Sequence, residues 1–262
     1  MPEGGAGDSS ADRERLERRV WLDLQRAEKV PTILARRIQR EIVERNLQPG
    51  DMLGSEAVML ARFGVGRASL REALRILENH GIVRIKPGPG GGPVVNEVTS
   101  NDWGRSMTIH LHSARATIRD LLEARMIMEP VVARLAAGRL TPEMEASVRT
   151  AAKEGHDALL LSSDEWAASA EEFHAAVASA SGNRVVDLFS TSLISIHRAR
   201  VGSTFPNDER EVTTRIHDRI AEAICAGDAD RAEELMRFHI TELVAAIEAW
   251  MPDQMDELID WR

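Results

Sequence analysis

The stretch "GSEAVMLARFGVGRASLREALRILENHGIVRIKPGPGGGPVV", Gly54 to Val95, decides the fold of the N-terminal part of the chain. Residues 87–93 are an unbroken run of Gly and Pro. Such a run cannot lie inside a helix, because Pro lacks the N–H a helix needs and Gly gives up too much backbone entropy. "GIVRIK" before it and "VV" after it are β-prone, so the run reads as the tip of a hairpin. Upstream, Ser55 is a candidate N-cap for a helix whose apolar side is Val58, Leu60 and Ala61. "FGVG" (63–66) makes a tight turn. The next helix runs from Arg67 to about His80, with Leu70, Ala73, Leu74 and Leu77 inward, and ends at Gly81. An earlier helix starts at Pro31, repeats Ile33, Leu34, Ile38, Ile42 and Val43 at helical spacing, and stops at "QPG" (48–50). Three helices and a hairpin in this order are the layout of a winged helix-turn-helix.

From Asn101 onward the pattern is almost wholly helical. Breaks fall near Ser113, Gly138–Pro142, Ser162–Asp164, Ser181–Asn183, Gly202–Asp208 and Gly227–Asp228. They leave a short linking helix and about six longer helices with apolar stripes, whose natural packing is an antiparallel bundle. The fold class is therefore mainly α. The expected organisation is a leader over 1–28, disordered or partly helical; a winged helix-turn-helix over 29–97; a linker helix over 98–114; and an all-helical domain for effector binding and dimerisation over 115–252.

The net charge of −9 argues against nucleic acid until it is divided along the chain. Residues 29–97 hold 11 Lys and Arg against 7 Asp and Glu, whereas residues 98–262 hold 17 against 28. A small basic module is joined to a larger acidic one. The single cysteine, Cys225, rules out a disulfide within the chain and a Cys-x-x-Cys metal knuckle, and fits a reducing cytoplasm. No apolar stretch approaches the roughly 20 residues of a membrane span, and the N-terminus lacks the apolar core of a signal peptide.

On the third helix Arg67 and Arg71 are four apart and share one face, with Ser69 beside them at the helix start. A recognition helix reads bases with its N-terminal residues, and the guanidinium fork matches the O6 and N7 of guanine. Arg75, one turn later, is better placed for a phosphate. The competing interpretation is a solvated charged face, since Glu72 and Glu78 lie on the same helix.

Residues 31 to about 95 resemble the winged-helix domain of the GntR family of bacterial transcription regulators. The resemblance rests on the Gly54–Gly92 stretch quoted above. Ala57 stands where that family often carries a DNA-touching arginine, and Gly66 where it often carries Ser or Thr. The resemblance implies that the hairpin tip, with Gly88, approaches the minor groove and that Lys86 at its base meets a phosphate. Residues 115–250 resemble the helical domain of the FadR subfamily, the FCD class, through "DLLEARMIMEPVVARLAA" (120–137), "FH" before "SGN", "H" before "AICAGD", and "MRFH".

Many members of that class bind a divalent metal with three histidines and an aspartate. The matching positions are His174, His217 and His239, which implies Zn, Ni or Mn. The aspartate position holds Ala170, which leaves the fourth ligand open between Glu171 and water. The resemblance also implies that Arg125 meets a carboxylate of the effector; a surface ion pair with Glu129 is the alternative.

The expected function is a DNA-binding transcription regulator, a repressor, cytoplasmic and not an enzyme. It acts as a homodimer on a palindromic double-stranded operator. A small organic acid and a divalent metal in the bundle modulate that binding through residues 97–113. One alternative is an effector-independent DNA-binding protein with a purely structural bundle. A metal-dependent enzyme is disfavoured: Glu171 and His174 form one Glu-x-x-His step, but Thr214 and Met236 stand where a second would need Glu.

Overall fold

The computed structural model describes residues 29–260 except 89, 98 and 202–206. The expected leader over 1–28 lies outside the described residues. The chain divides into two compact units at Val98 and Thr99.

The first unit contains α1 (Val30–Glu44), α2 (Glu56–Phe63), α3 (Arg67–Asn79) and an antiparallel hairpin of β1 (Val83–Lys86) and β2 (Gly92–Val95). The hairpin register pairs Val83 with Val95 and Lys86 with Gly92. Leu70, Ala73, Leu74 and Leu77 of α3 are buried, as their spacing predicts. They meet Leu34, Ala35, Ile38 and Ile42 of α1 in one core, closed from below by Val83 and Val95.

Two local expectations need correction. On α2 the buried residues are Met59 and Phe63, while Val58 and Ala61 are exposed and Leu60 is half-buried. An eight-residue helix has two possible apolar stripes, and packing chose the one with the larger side chains. α1 also stops earlier than "QPG", because Asn46 takes a left-handed backbone with φ 50°. Asn is one of the few residues with a side chain that tolerates that region. The turn between α2 and α3 relies on Gly64, also left-handed at φ 65°, whose N–H closes onto Leu60. In the wing, a Cβ on Gly91 would lie 2.2 Å from the Lys86 carbonyl oxygen, so the tip closes only with glycine there.

The second unit begins with α4 (Ser100–Ser113) and continues through α5 (Ile118–Ala137), α6 (Pro142–Ala158), α7 (Ser163–Ala180), α8 (Arg184–Val201), α9 (Asn207–Cys225) and α10 (Ala229–Trp250). Thr99, Thr117 and Ser162 each start a helix with a reciprocal capping box. Asn183 caps α8, its Oδ1 accepting from the N–H groups of Val185 and Val186. The helix α5 is central and packs against α7, α8, α9 and α10. Its apolar face joins Val177, Ile220, Met236 and Ile240 in the main core. After a 3₁₀ turn (Pro252–Gln254) the tail folds back: Met255 and Ile259 are buried, and Ile259 N–H donates to Ala116. Among the described residues no helix is long and apolar enough to cross a membrane.

Leu70 is fully buried between α1 and α3. Leu70→Ala is expected to destabilise the first unit by about 2–5 kcal/mol, measured by urea denaturation of the variant. A loss below about 0.5 kcal/mol would contradict this packing.

Candidate functional site

Two groups of side chains stand apart from the packing. The first surrounds the start of α3. Arg67 is exposed at the first position of the helix, and Ser69 is half-buried. Arg71 is exposed and held in a two-pronged ion pair with Glu56 of α2, at 3.2 Å for each nitrogen. Arg75 makes a similar pair with Glu72, at 3.0 and 2.7 Å. Through this bond Glu72 raises the pKa of Arg75 and Arg75 lowers that of Glu72. Lys86 and Gly88 are exposed at the wing, with Gly88 left-handed at φ 93°. One guanidinium is thus unbraced, at Arg67, and two are braced by carboxylates on the protein's own surface.

The second group lies inside the bundle. His174 of α7, His217 of α9 and His239 of α10 are all buried. The Nε2 of His239 lies 3.1 Å from that of His217 and 3.2 Å from that of His174. A tetrahedral ion with bonds of about 2.0–2.1 Å would hold its nitrogens roughly 3.3 Å apart, so the three rings suit one. Phe173 stacks on His217 with ring centres 4.2 Å apart and fixes its plane. Among the described residues these are the only three His, Cys, Asp or Glu side chains grouped closely enough to share an ion.

Behind His174 stands Glu129 of α5. Its Oε2 lies 2.6 Å from His174 Nδ1, and its Oε1 accepts from Arg125 Nε at 2.5 Å. The contact has ion-pair distance but not hydrogen-bond geometry, and it sets the carboxylate at the Nδ1 edge of His174 while Nε2 faces the cluster, the side from which a carboxylate orients a metal-ligating histidine. Burial opposes ionisation of Glu129, but Arg125 and His174 outweigh it and hold the carboxyl well below the usual range. The Arg125–Glu129 pair is a buried one, with 2% and 6% of the side chains exposed, and not the surface pair considered from the sequence.

Arg125 Nη1 is buried and has no hydrogen-bond partner. It lines a chamber with Trp166, Ala170, Glu171, His197 and the three histidines. Both ring nitrogens of His197 are also buried without a hydrogen-bond partner. Glu171 does not join the histidine group: its carboxylate faces His197 Nδ1 at 3.8 Å and Arg198 Nε at 3.5 Å. Burial pushes its carboxyl up to about 8, against the pull of Arg125 and Arg198. Ala170 faces the chamber and leaves space where a longer side chain would stand. The sequence left two of these residues without a role. Glu129 was visible only as a helical neighbour of Arg125, and His197 only as one more histidine.

The chain was compared with known proteins. The family model described as "Bacterial regulatory proteins, gntR family" matches residues 33–91, and the FCD domain model matches residues 120–242. The HTH-type transcriptional regulator LutR of Bacillus subtilis is 27% identical over 216 residues, covering 80% of this chain and 97% of that protein. A putative L-lactate dehydrogenase operon regulatory protein of Escherichia coli is 29% identical over 232 residues, covering 84% and 87%. The solved structure of a Streptococcus agalactiae GntR protein aligns with a TM-score of 0.68 at 24% identity, covering 82% of this chain and 99% of that one.

Burial holds the rings of His197, His217 and His239 neutral, and Arg125 adds to the effect while Glu129 opposes it at His197 and His239; His239 falls to about 3 from an ordinary 6.5. Each takes up a proton on unfolding below pH 6.5, so the unfolded state binds more protons and stability rises with pH in that range. The three histidines therefore contribute stability that is kept above about pH 6.5 and lost by up to about 1.4 kcal/mol per pH unit each below it, a loss that exceeds the opposing gain from the raised carboxyl of Glu171. Urea denaturation with a chelator present, at about pH 7.5 and about pH 5.5, checks this; an equal or higher midpoint in acid would contradict it.

Proposed function

We propose, starting from a chain that belongs to the GntR family of bacterial regulatory proteins and carries an FCD domain, that a divalent metal and a small organic acid in the helical bundle set its hold on DNA. The domains are those of transcription regulators and not of enzymes. The observation that carries the proposal is the convergence of three buried histidine nitrogens beside the unpartnered Arg125 Nη1. Neutral imidazoles are the ligating form, and burial favours that form at His217 and His239. His174, His217 and His239 hold the ion, and Glu129 orients His174. The ion supplies a Lewis-acid charge for an anionic ligand. Arg125 donates from Nη1 to the carboxylate of that ligand. Ala170 offers no ligand atom, so the three histidines are the side chains that would hold the ion.

The chain acts as a repressor. A homodimer grips a palindromic operator, with Arg67 and Arg71 reading base edges, and Ser69, Arg75, Lys86 and Gly88 placed against the backbone. Glu56 positions the Arg71 fork in the free protein. Ile127 and Val131, four apart on α5 and 70% and 47% exposed, offer an apolar strip for a second copy. Effector binding shifts the spacing of the two winged helices through residues 97–113, a coupling of about 1–3 kcal/mol. The protein works in the cytoplasm.

Two measurements test this function. Arg67→Ala or Arg71→Ala is expected to lose about 1–3 kcal/mol of operator affinity in a gel-shift titration; full affinity in both variants would sink the DNA-reading assignment. Elemental analysis of protein purified without chelator is expected to give about one divalent ion per chain, and His174→Ala almost none. Equal metal content in the two proteins would remove the metal from the account.

A further inference from the structure

The inner chamber is small. Its cavity of about 40 Å³ has room for about three water-sized groups at roughly 10–15 Å³ each. That accommodates a carboxylate and little more. Beside it, between α9 and α10, lies a groove of about 270 Å³. Thr213, His239 and Leu243 line both spaces, so the wall between them is one side chain thick. Thr213 and Leu243 are only half-buried.

The groove is mixed in character, with Val212, Ile216, Phe238, Ala246 and Trp250 forming its apolar walls. Val212 and Phe238 remain 53% and 58% exposed. The lining contains no Lys or Arg, and its two acidic residues are Glu209 and Glu242. The chamber attracts an anion through Arg125, whereas the groove repels a second one.

We propose that the groove holds the tail of the effector, and that the effector is an amphipathic monocarboxylic acid. Its head enters the chamber at Arg125 and its hydrocarbon or aromatic tail passes between Thr213 and Leu243 onto Phe238 and Trp250. The proposal rests on the effector function above and narrows it from small organic acids to those with an apolar tail. A compact acid leaves the apolar walls in water, and a dicarboxylate brings its second charge to Glu209 and Glu242. Only a tail removes the groove's apolar surface from solvent, which favours binding in proportion to the area covered.

Calorimetric titration of the full-length protein in the presence of zinc, with straight-chain acids from propionate to octanoate and with malate, tests the proposal. Affinity is expected to rise up to roughly fourfold per added methylene. Ala246→Trp fills the groove from α10 without touching a histidine. It is expected to abolish the chain-length dependence while leaving propionate affinity and zinc content unchanged. Equal affinity along the series, or malate binding more tightly than octanoate, overturns the tail and leaves the effector function standing. No binding by any acid overturns both. If Ala246→Trp changes the oligomeric state in light scattering and not the acid affinities, the groove is a protein interface and the proposal fails.

Discussion

The structure of the bundle turns on a buried charge chain: Arg125 on Glu129, and Glu129 on His174. A guanidinium and a carboxylate removed from water cost several kcal/mol each unless they satisfy one another. Here they satisfy one another only partly. Glu129 stays ionised beside Arg125 and His174, while Arg125 spends Nε on Glu129 and keeps Nη1 without a partner. A helix of apolar residues would pack at the centre with less difficulty. The polar chain makes sense as an apparatus that orients one imidazole and leaves one donor ready for a ligand.

The other features of the chamber follow from that orientation. The Nε2 of His239 lies at hydrogen-bond distance from those of His174 and His217, and Phe173 keeps His217 from rotating away. Three helices, α7, α9 and α10, each contribute one ring. A ligand or ion that pulls on these rings therefore acts on three helices together. The groove between α9 and α10 borders the His239 ring, so its contents bear on the same pair of helices. In the DNA-reading unit the logic differs: Glu56 and Glu72 lie outside and brace guanidinium groups that stay in water.

Much of the architecture was legible in the sequence, where periodicity is long or punctuation strong. Leu70, Ala73, Leu74 and Leu77 repeat over a helix of 13 residues, enough turns to fix which face is inward. The eight residues of α2 were too few, and Met59 and Phe63 took the core from Val58, Leu60 and Ala61. The end of α1 depended on one Asn adopting a left-handed backbone, which composition does not announce. The histidines were found through resemblance to a family and not through spacing, because residues on separate helices meet only by tertiary packing. Burial of the Arg125–Glu129 pair, the placement of His197 and the groove beside Leu243 left no local trace. Each arises from the gap between helices far apart in the chain.

The central claim is that three imidazoles, turned by one carboxylate, form a single ion site. X-ray absorption spectroscopy of the zinc-loaded protein tests it most directly. The account predicts a first shell dominated by histidine nitrogens at about 2.0–2.1 Å, reduced by one imidazole in His217→Phe. A shell of oxygens alone, unchanged in that variant, would contradict it.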